Sequence, residues 1–256
     1  MMRDKIIRFL NNQLRIDEFD DQSVNGLQVD GSKYVNKVLM AVDADLDSIK
    51  KAVDLHAELM IVHHGLFWKR NEVIVGPLYD KISLLIKHNI SLYAVHLPLD
   101  VHEEHGNNIQ IVRRLSLRNI AKFADYKGLL LGYSGETSLN DLNEFKGFVE
   151  QVLNTKVRVF NFGSNNVKRI GVISGAGGFG VQFANQYGLD TILTGEASYP
   201  EILLAKDLKI NLMLAGHYET EVFGVKAIGN KLAELFESEN LTVEFFENVS
   251  NKNLQI

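Results

Sequence analysis

Between Lys37 and Gly65 the chain reads KVLMAVDADLDSIKKAVDLHAELMIVHHG. KVLMAV (Lys37–Val42) is apolar after its first residue, the pattern of a strand covered on both faces. Asp45 stands where a helix N-cap belongs, and the periodicity to Leu55 predicts a helix. LMIV (Leu59–Val62) predicts a second strand, which ends on His63-His64-Gly65. Strand, helix and strand in this order make a parallel βαβ unit with helices over the sheet.

The alternation extends in both directions. A helix is expected around Leu78–Lys87, a strand at Ser91–Val95 ending on His96, and a helix at Asn108–Leu115. In the second half, RIGVI (Arg169–Ile173) is a strand and SGAGGFG (Ser174–Gly180) a loop. A helix over Val181–Tyr187 and a strand over Thr191–Leu193 follow, the strand leading into Thr194-Gly195-Glu196. Then come a helix at Tyr199–Leu208, a strand at Asn211–Ala215 with His217 just beyond it, and a long helix at Val222–Phe236. Arg118–Gly135 reads as two strands, and Ser138–Leu153 as a helix capped by Ser138. Leu241–Glu247 (LTVEFFE) is a closing strand, either in the second half or returning to the first. The expectation is two similar α/β domains, residues 1–124 and 125–256, with mostly parallel sheets.

The halves also align. An offset of 132 puts Val38 on Ile170, Ile61 on Leu193, and His63-His64 on Gly195-Glu196. An offset of 121 puts His96 on His217 and Asp100 on Glu221. A His-x-x-x-acid pattern thus follows the last strand of each half, either by duplication or by coincidence of a common element order.

Composition narrows the function. The 256 residues carry a net charge of −5, and no basic stretch alternates with aromatics, which speaks against nucleic-acid binding. MMRDKIIRFLNNQL at the start is broken by charges, so it reads as an amphipathic helix rather than a signal peptide or membrane span. A cytoplasmic address is expected. There is no cysteine, so thiolate nucleophiles and sulfur-ligated metals are excluded.

The histidines carry the chemistry. Seven of eight lie between His56 and His105, and His217 stands apart. His63, His96 and His217 each close an apolar strand run. In open α/β sheets, ligands collect beyond such carboxyl ends. Adjacent His63 and His64 point to opposite sides of an extended strand, so sharing one site calls for a turn at Gly65. Asp100 and Glu221 add carboxylates. Mixed imidazole and carboxylate ligands suit zinc, iron, manganese or nickel. Paired ions of this kind activate water for hydrolysis. The bland alternative is a set of hydrogen-bonded structural histidines. His56, His88, His102 and His105 read as surface or loop residues. The glycines of SGAGGFG form either a tight turn or a phosphate cradle. Trp68 is either a packing aromatic or a surface on which a base stacks.

At these residues the chain resembles a known family. VNGLQVDG (Val24–Gly31), IVHHGLFW (Ile61–Trp68), HLPLDVHEEHGNN (His96–Asn108), LTGEASY (Leu193–Tyr199) and AGHYETEVFGV (Ala215–Val225) are similar to segments of the GTP cyclohydrolase 1 type 2 homologues, the Nif-three-like dinuclear metal proteins. The resemblance spans nearly the whole chain. It implies two domains facing each other across a metal-containing cleft. It also implies two divalent ions per subunit held by His63, His64, Asp100, His217 and Glu221. His96 then falls in the shell behind the ligands, where a histidine orients a ligand or shuttles a proton. Apart from the resemblance, the offset that puts Glu196 at the equivalent strand end leads us to expect a lesser role for it, through contacts with a ligand. The resemblance further implies a homohexameric ring and a nucleotide or other small-molecule substrate. The reading is a metal-dependent hydrolase; the alternative is a metal-binding scaffold or regulatory protein without turnover.

Overall fold

The computed structural model describes residues 1–70, 72–252 and 254. In chain order the helices and strands begin with α1 (Arg3–Leu14), β1 (Gly26–Val29), β2 (Lys37–Asp43), α2 (Leu46–Asp54) and β3 (Leu59–His64). Next come α3 (Gly76–Lys87), β4 (Ser91–Ala94), α4 (Leu97–Asp100), α5 (Asn107–Arg114), β5 (Arg118–Tyr126) and β6 (Leu129–Glu136). They continue with α6 (Leu142–Leu153), β7 (Arg158–Phe160), β8 (Arg169–Ile173) and β9 (Thr191–Thr194). The last are α7 (Tyr199–Leu208), β10 (Asn211–Leu214), α8 (His217–Leu235) and β11 (Thr242–Phe245).

These elements divide into two compact units. The first holds residues 1–102 and 224–249, and the second holds 103–223 with a short stretch from Ser250. The division expected at residue 124 falls inside β5. That strand pairs with β6 from Arg118↔Glu136 to Tyr126↔Leu129, so a cut there would strand half a hairpin ladder. The closing strand β11 pairs with β2, from Thr242↔Lys37 to Phe245↔Met40.

The first unit has a sheet in the order β1-β4-β3-β2-β11. Its strands run parallel except β1, which pairs antiparallel with β4 at the edge. The pleat explains the unbroken apolar run of β2. Val38 and Met40 face one layer, with Ile6 and Leu10 of α1 and Ile228 and Leu232 of α8. Leu39 and Ala41 face the other, with Ile49 of α2 and Leu85 of α3. All ten are at most 1% exposed. Each large one contributes about 1.5–3 kcal/mol by leaving water.

The second unit has a sheet in the order β5-β6-β8-β9-β10-β7. Its centre, β8, β9 and β10, is parallel, and the flanking pairs are antiparallel. Phe123, Ile173, Val181, Ile192 and Leu212 fill a core beside it. The helix expected at Val181–Tyr187 is instead a 3₁₀ turn over Gly177–Phe183. Its glycines press against neighbours: a Cβ on Gly177 would sit 2.5 Å from Ile173 Cβ, and one on Gly178 2.6 Å from Ala197 Cβ. α6 starts at Leu142 rather than near Ser138. The Asp141 carboxylate accepts from the Asn143 and Glu144 amides at 2.8 and 3.1 Å and caps the helix there. The edge strands β1 and β7 give no clear sequence signal, because they are short and lack a long apolar run.

The repeat seen in the sequence is present in the registers. Val38 pairs with Leu59, and 132 positions later in both strands Ile170 pairs with Thr191. One residue, Val95, separates β4 from His96, whereas Ala215 and Gly216 separate β10 from His217. Gly216, at φ 94°, takes up the extra residue.

Candidate metal centre

In the first unit, β3 carries His63 and His64 to its carboxyl end, and His96 follows β4. The ring centroid of His63 lies 4.7 Å from that of His64 and 5.1 Å from that of His96. One ligand atom from each of the three lies within 4.8 Å of the others. Asp100, on the last residue of α4, brings Oδ2 to 3.5 Å from His63 Nε2. His63 and Asp100 are buried, and His64 and His96 are half-buried.

Each imidazole is held from behind. His63 Nδ1 donates to the Val95 carbonyl at 2.9 Å. A carbonyl can only accept, so Nδ1 carries a proton, and Nε2 is the ring nitrogen turned toward Asp100. His64 Nδ1 is 2.8 Å from Oδ1 of Asp43, its register partner in β2. His96 Nδ1 is 2.9 Å from Asp21 Oδ1. Asp21, 1% exposed, also accepts from the Ser23 amide, the Asn25 side-chain amide and the Leu97 amide. Burial alone would raise the Asp21 carboxyl; the hydrogen bond and charge of His96, with Asn25 and Ser23, outweigh it and hold it at about 2. Carboxylates and carbonyls behind a histidine fix its tautomer and aim, the arrangement seen behind metal-ligating imidazoles.

In the second unit, His217 opens α8 and Glu221 stands one turn on. The helix starts five residues earlier than expected, so the pair shares one face. His217 Nε2 and Glu221 Oε1 are 3.2 Å apart, and His217 Nδ1 lies 3.0 Å from Glu196 Oε1 beyond β9. Burial would lower the His217 pKa; the charge and hydrogen bond of Glu221, then those of Glu196, outweigh it and push it up to about 10. A proton therefore sits between the carboxylates in the metal-free protein. Gly175, at φ +58°, leaves the space that Glu221 uses: a Cβ there would collide with the Glu221 carboxylate and come within 3.1 Å of His217 Nε2. Glu196 also lines a cavity of about 330 Å³ with Ala176, Gly195, Ser198 and Leu214.

Several expectations meet this geometry directly. His63, His64, Asp100 and His96 gather in the first unit, and His217 with Glu221 and Glu196 in the second. His96 lies beside His63 and His64, its ring centroid 5.1 Å and 5.6 Å from theirs. Gly65 serves the pair by size, not by a left-handed turn. Its Cβ would sit 2.6 Å from Ala94 Cβ, and the Gln28 side chain fills the remaining space. In SGAGGFG the Gly175 and Gly177 amides are already engaged, by Thr220 Oγ1 and Thr194 Oγ1, which favours the tight turn over the phosphate cradle. Sequence reasoning misses Asp21, Asp43 and Asn25. Register could have found Asp43, since it ends the strand beside the histidines. Asp21 and Asn25 lie in an irregular stretch that no periodicity marks.

The donor chemistry fits a divalent metal. Imidazole nitrogen and carboxylate oxygen are the atoms offered, each imidazole is anchored through Nδ1, and Gly175 makes a recess at Glu221 that any side chain would fill.

The fold and the anchored histidines define an α/β protein whose imidazole and carboxylate groups could hold a metal ion. A model of the Duf34/NIF3 family (NGG1p interacting factor 3) matches residues 1–253, and the chain belongs to this family. It is 40% identical over 243 residues to the GTP cyclohydrolase 1 type 2 homolog of Pyrococcus abyssi, covering 92% of this chain and 95% of that protein. It is 38% identical over 235 residues to the protein of the same name from Deinococcus radiodurans, covering 91% and 89%. A crystal structure of TTHA1606 from Thermus thermophilus superposes with a TM-score of 0.87 at 34% identity, covering 97% of this chain and 98% of that one. A structure of protein ybgI, described as of unknown function, gives 0.88 at 31% identity, covering 98% and 100%.

Proposed function

We propose that the protein binds two divalent ions per chain through His63, His64, Asp100, His217 and Glu221, and hydrolyses a small molecule of nucleotide type. The observation that carries this reading is the common support of four imidazoles. His63, His64, His96 and His217 each direct Nδ1 at a carbonyl or carboxylate oxygen. Structural histidines need no such uniform arrangement, whereas ligands do. Divalent ions supply Lewis acidity and a water nucleophile near neutral pH.

The chain's own groups do the rest. Asp21 holds His96 by Nδ1, which leaves Nε2 to carry a proton to or from a substrate. Glu196 orients His217. Glu221 is held against His217 by its place one helical turn away. The name of the relatives suggests opening of a guanine ring; in that reaction His96 would protonate the departing ring nitrogen. We place the protein in the cytoplasm as a homohexamer. Among the described residues no helix is long and apolar enough to cross a membrane.

The experiment is a metal-replete turnover screen across nucleotides, phosphoesters and peptides. Turnover that chelation abolishes, metal restores and Glu221→Gln lowers steeply is the expected result. Full metal occupancy without turnover of any class would replace this reading with a metal-binding scaffold.

A further inference from the structure

Beside the histidine cluster, the first unit has a cavity of about 340 Å³ lined by Gln22, Trp68, Lys69 and Arg70. It is large enough for a small ligand. The wall is pinned rather than loose. Ser23 and Trp68 form an antiparallel bridge, Val24 N donates to the Phe67 carbonyl at 3.0 Å, and Lys69 N donates to the Gln22 carbonyl at 2.6 Å. The same short stretch carries Asp21, which aims His96. The Trp68 ring lies 5.2 Å from the His96 ring and 6.2 Å from that of His64. The cavity wall and the imidazoles are therefore one continuous surface.

Two cations sit on that wall. Lys69 Nζ is 3.0 Å from Asp20 and Arg70 Nε is 2.6 Å from Glu72. The Lys69 pair is exposed on both sides, and the Arg70 guanidinium is exposed beside a half-buried Glu72, so both cations remain open to a better anion and neither pair contributes much. The Glu72 contact uses one of the five guanidinium N–H groups of Arg70. An indole beside an amide, an ammonium and a guanidinium recognises a flat ring joined to an anion.

We infer that this cavity is the binding subsite for a mononucleotide, with its base against Trp68 and its phosphate at Lys69 and Arg70. The inference rests on the proposed hydrolase for its role and names the substrate class of that same site. The chain's net negative charge favours a free nucleotide over a nucleic-acid strand.

The sequence holds one tryptophan, so Trp68 reports its own cavity. Full-length protein, chelator-stripped and zinc-loaded, is titrated with guanosine 5′-monophosphate while emission and metal content are followed. Guanosine, ribose 5-phosphate, inorganic phosphate and a short single-stranded oligonucleotide are run beside it. Saturable quenching by the nucleotide is expected, with guanosine and ribose 5-phosphate each binding about tenfold or more weakly. The double variant Lys69→Ala/Arg70→Ala should weaken binding by about tenfold with an unchanged circular dichroism spectrum. Trp68→Leu, followed by equilibrium dialysis, should weaken it by about five- to a hundredfold. No saturable response, undiminished binding by the double variant, inorganic phosphate binding as tightly as the nucleotide, or tighter binding of the oligonucleotide would overturn the inference. Nucleotide binding by protein that takes up no metal would uphold the subsite and defeat the metal reading; two bound ions without nucleotide binding would do the reverse.

Discussion

Replacing Gly175 by alanine tests the recess that holds Glu221. Gly175 has φ +58°, where an L-residue costs about 1–2 kcal/mol. The added Cβ also meets the Glu221 carboxylate, which is 3% exposed and cannot swing into water without leaving His217. Overpacking of this kind costs about a further 1–3 kcal/mol. Gly188 is the control, because it has φ +62° and a Cβ there meets nothing within 4 Å. Gly188→Ala should therefore show the backbone cost alone. Urea unfolding of the two metal-free variants isolates the collision as the difference between them. Thermal midpoints should differ by about 2–4 °C for each kcal/mol of that difference. Elemental analysis after reloading should find Gly175→Ala short of metal and Gly188→Ala fully loaded. Equal midpoints with full metal in both variants would refute the reasoning.

Three further outcomes follow from the same geometry. The Asp21 carboxyl is held at about 2, below its ordinary 3.8, so its contribution is complete above 3.8 and is lost as pH falls through about 2. Between these values the metal-free protein should lose about 2 kcal/mol more stability than Asp21→Asn, and parallel acid-unfolding curves would contradict this. His217 is pushed up to about 10, so its pairing with Glu221 and Glu196 is fully stabilising below 6.5 and is lost as pH rises through about 10. Melting points of metal-free protein should fall across that range, and metal uptake at neutral pH should release a proton, measurable by calorimetry in buffers of different ionisation enthalpy; a melting point rising with pH would be the wrong sign. A fragment covering Met1–Phe123 should not fold by circular dichroism, since it lacks β11 and the Val225, Ile228 and Leu232 face that completes the core around α1; a cooperative melt of that fragment would count against the division into units.

Much of this is legible in the sequence because it depends on local pattern. KVLMAV and LMIV are readable as strands since both of their faces are covered, and the registers confirm the 132 offset. The His-x-x-x-acid pattern is readable because one helical turn joins His217 to Glu221 and His96 to Asp100. What escapes depends on contacts between distant segments. The first unit's core recruits the second half of α8, which sits more than a hundred residues beyond β4. No local period announces that return. Asp21 supports His96 across 75 positions from a stretch without regular structure. The SGAGGFG loop misleads because glycine permits a phosphate cradle and tight packing equally; only Thr194 and Thr220, already bonded to its amides, decide between them.

The central proposal is that the anchored imidazoles and their neighbouring carboxylates hold metal. Elemental analysis of the full-length protein, stripped by chelation and reloaded with zinc, manganese, iron or nickel, addresses it most directly. About two ions per chain are predicted for the wild type, with loss of metal in His63→Ala and in Glu221→Ala and none in His88→Ala. Equal metal content in all of these proteins, or a wild type that folds and takes up no ion, would contradict it.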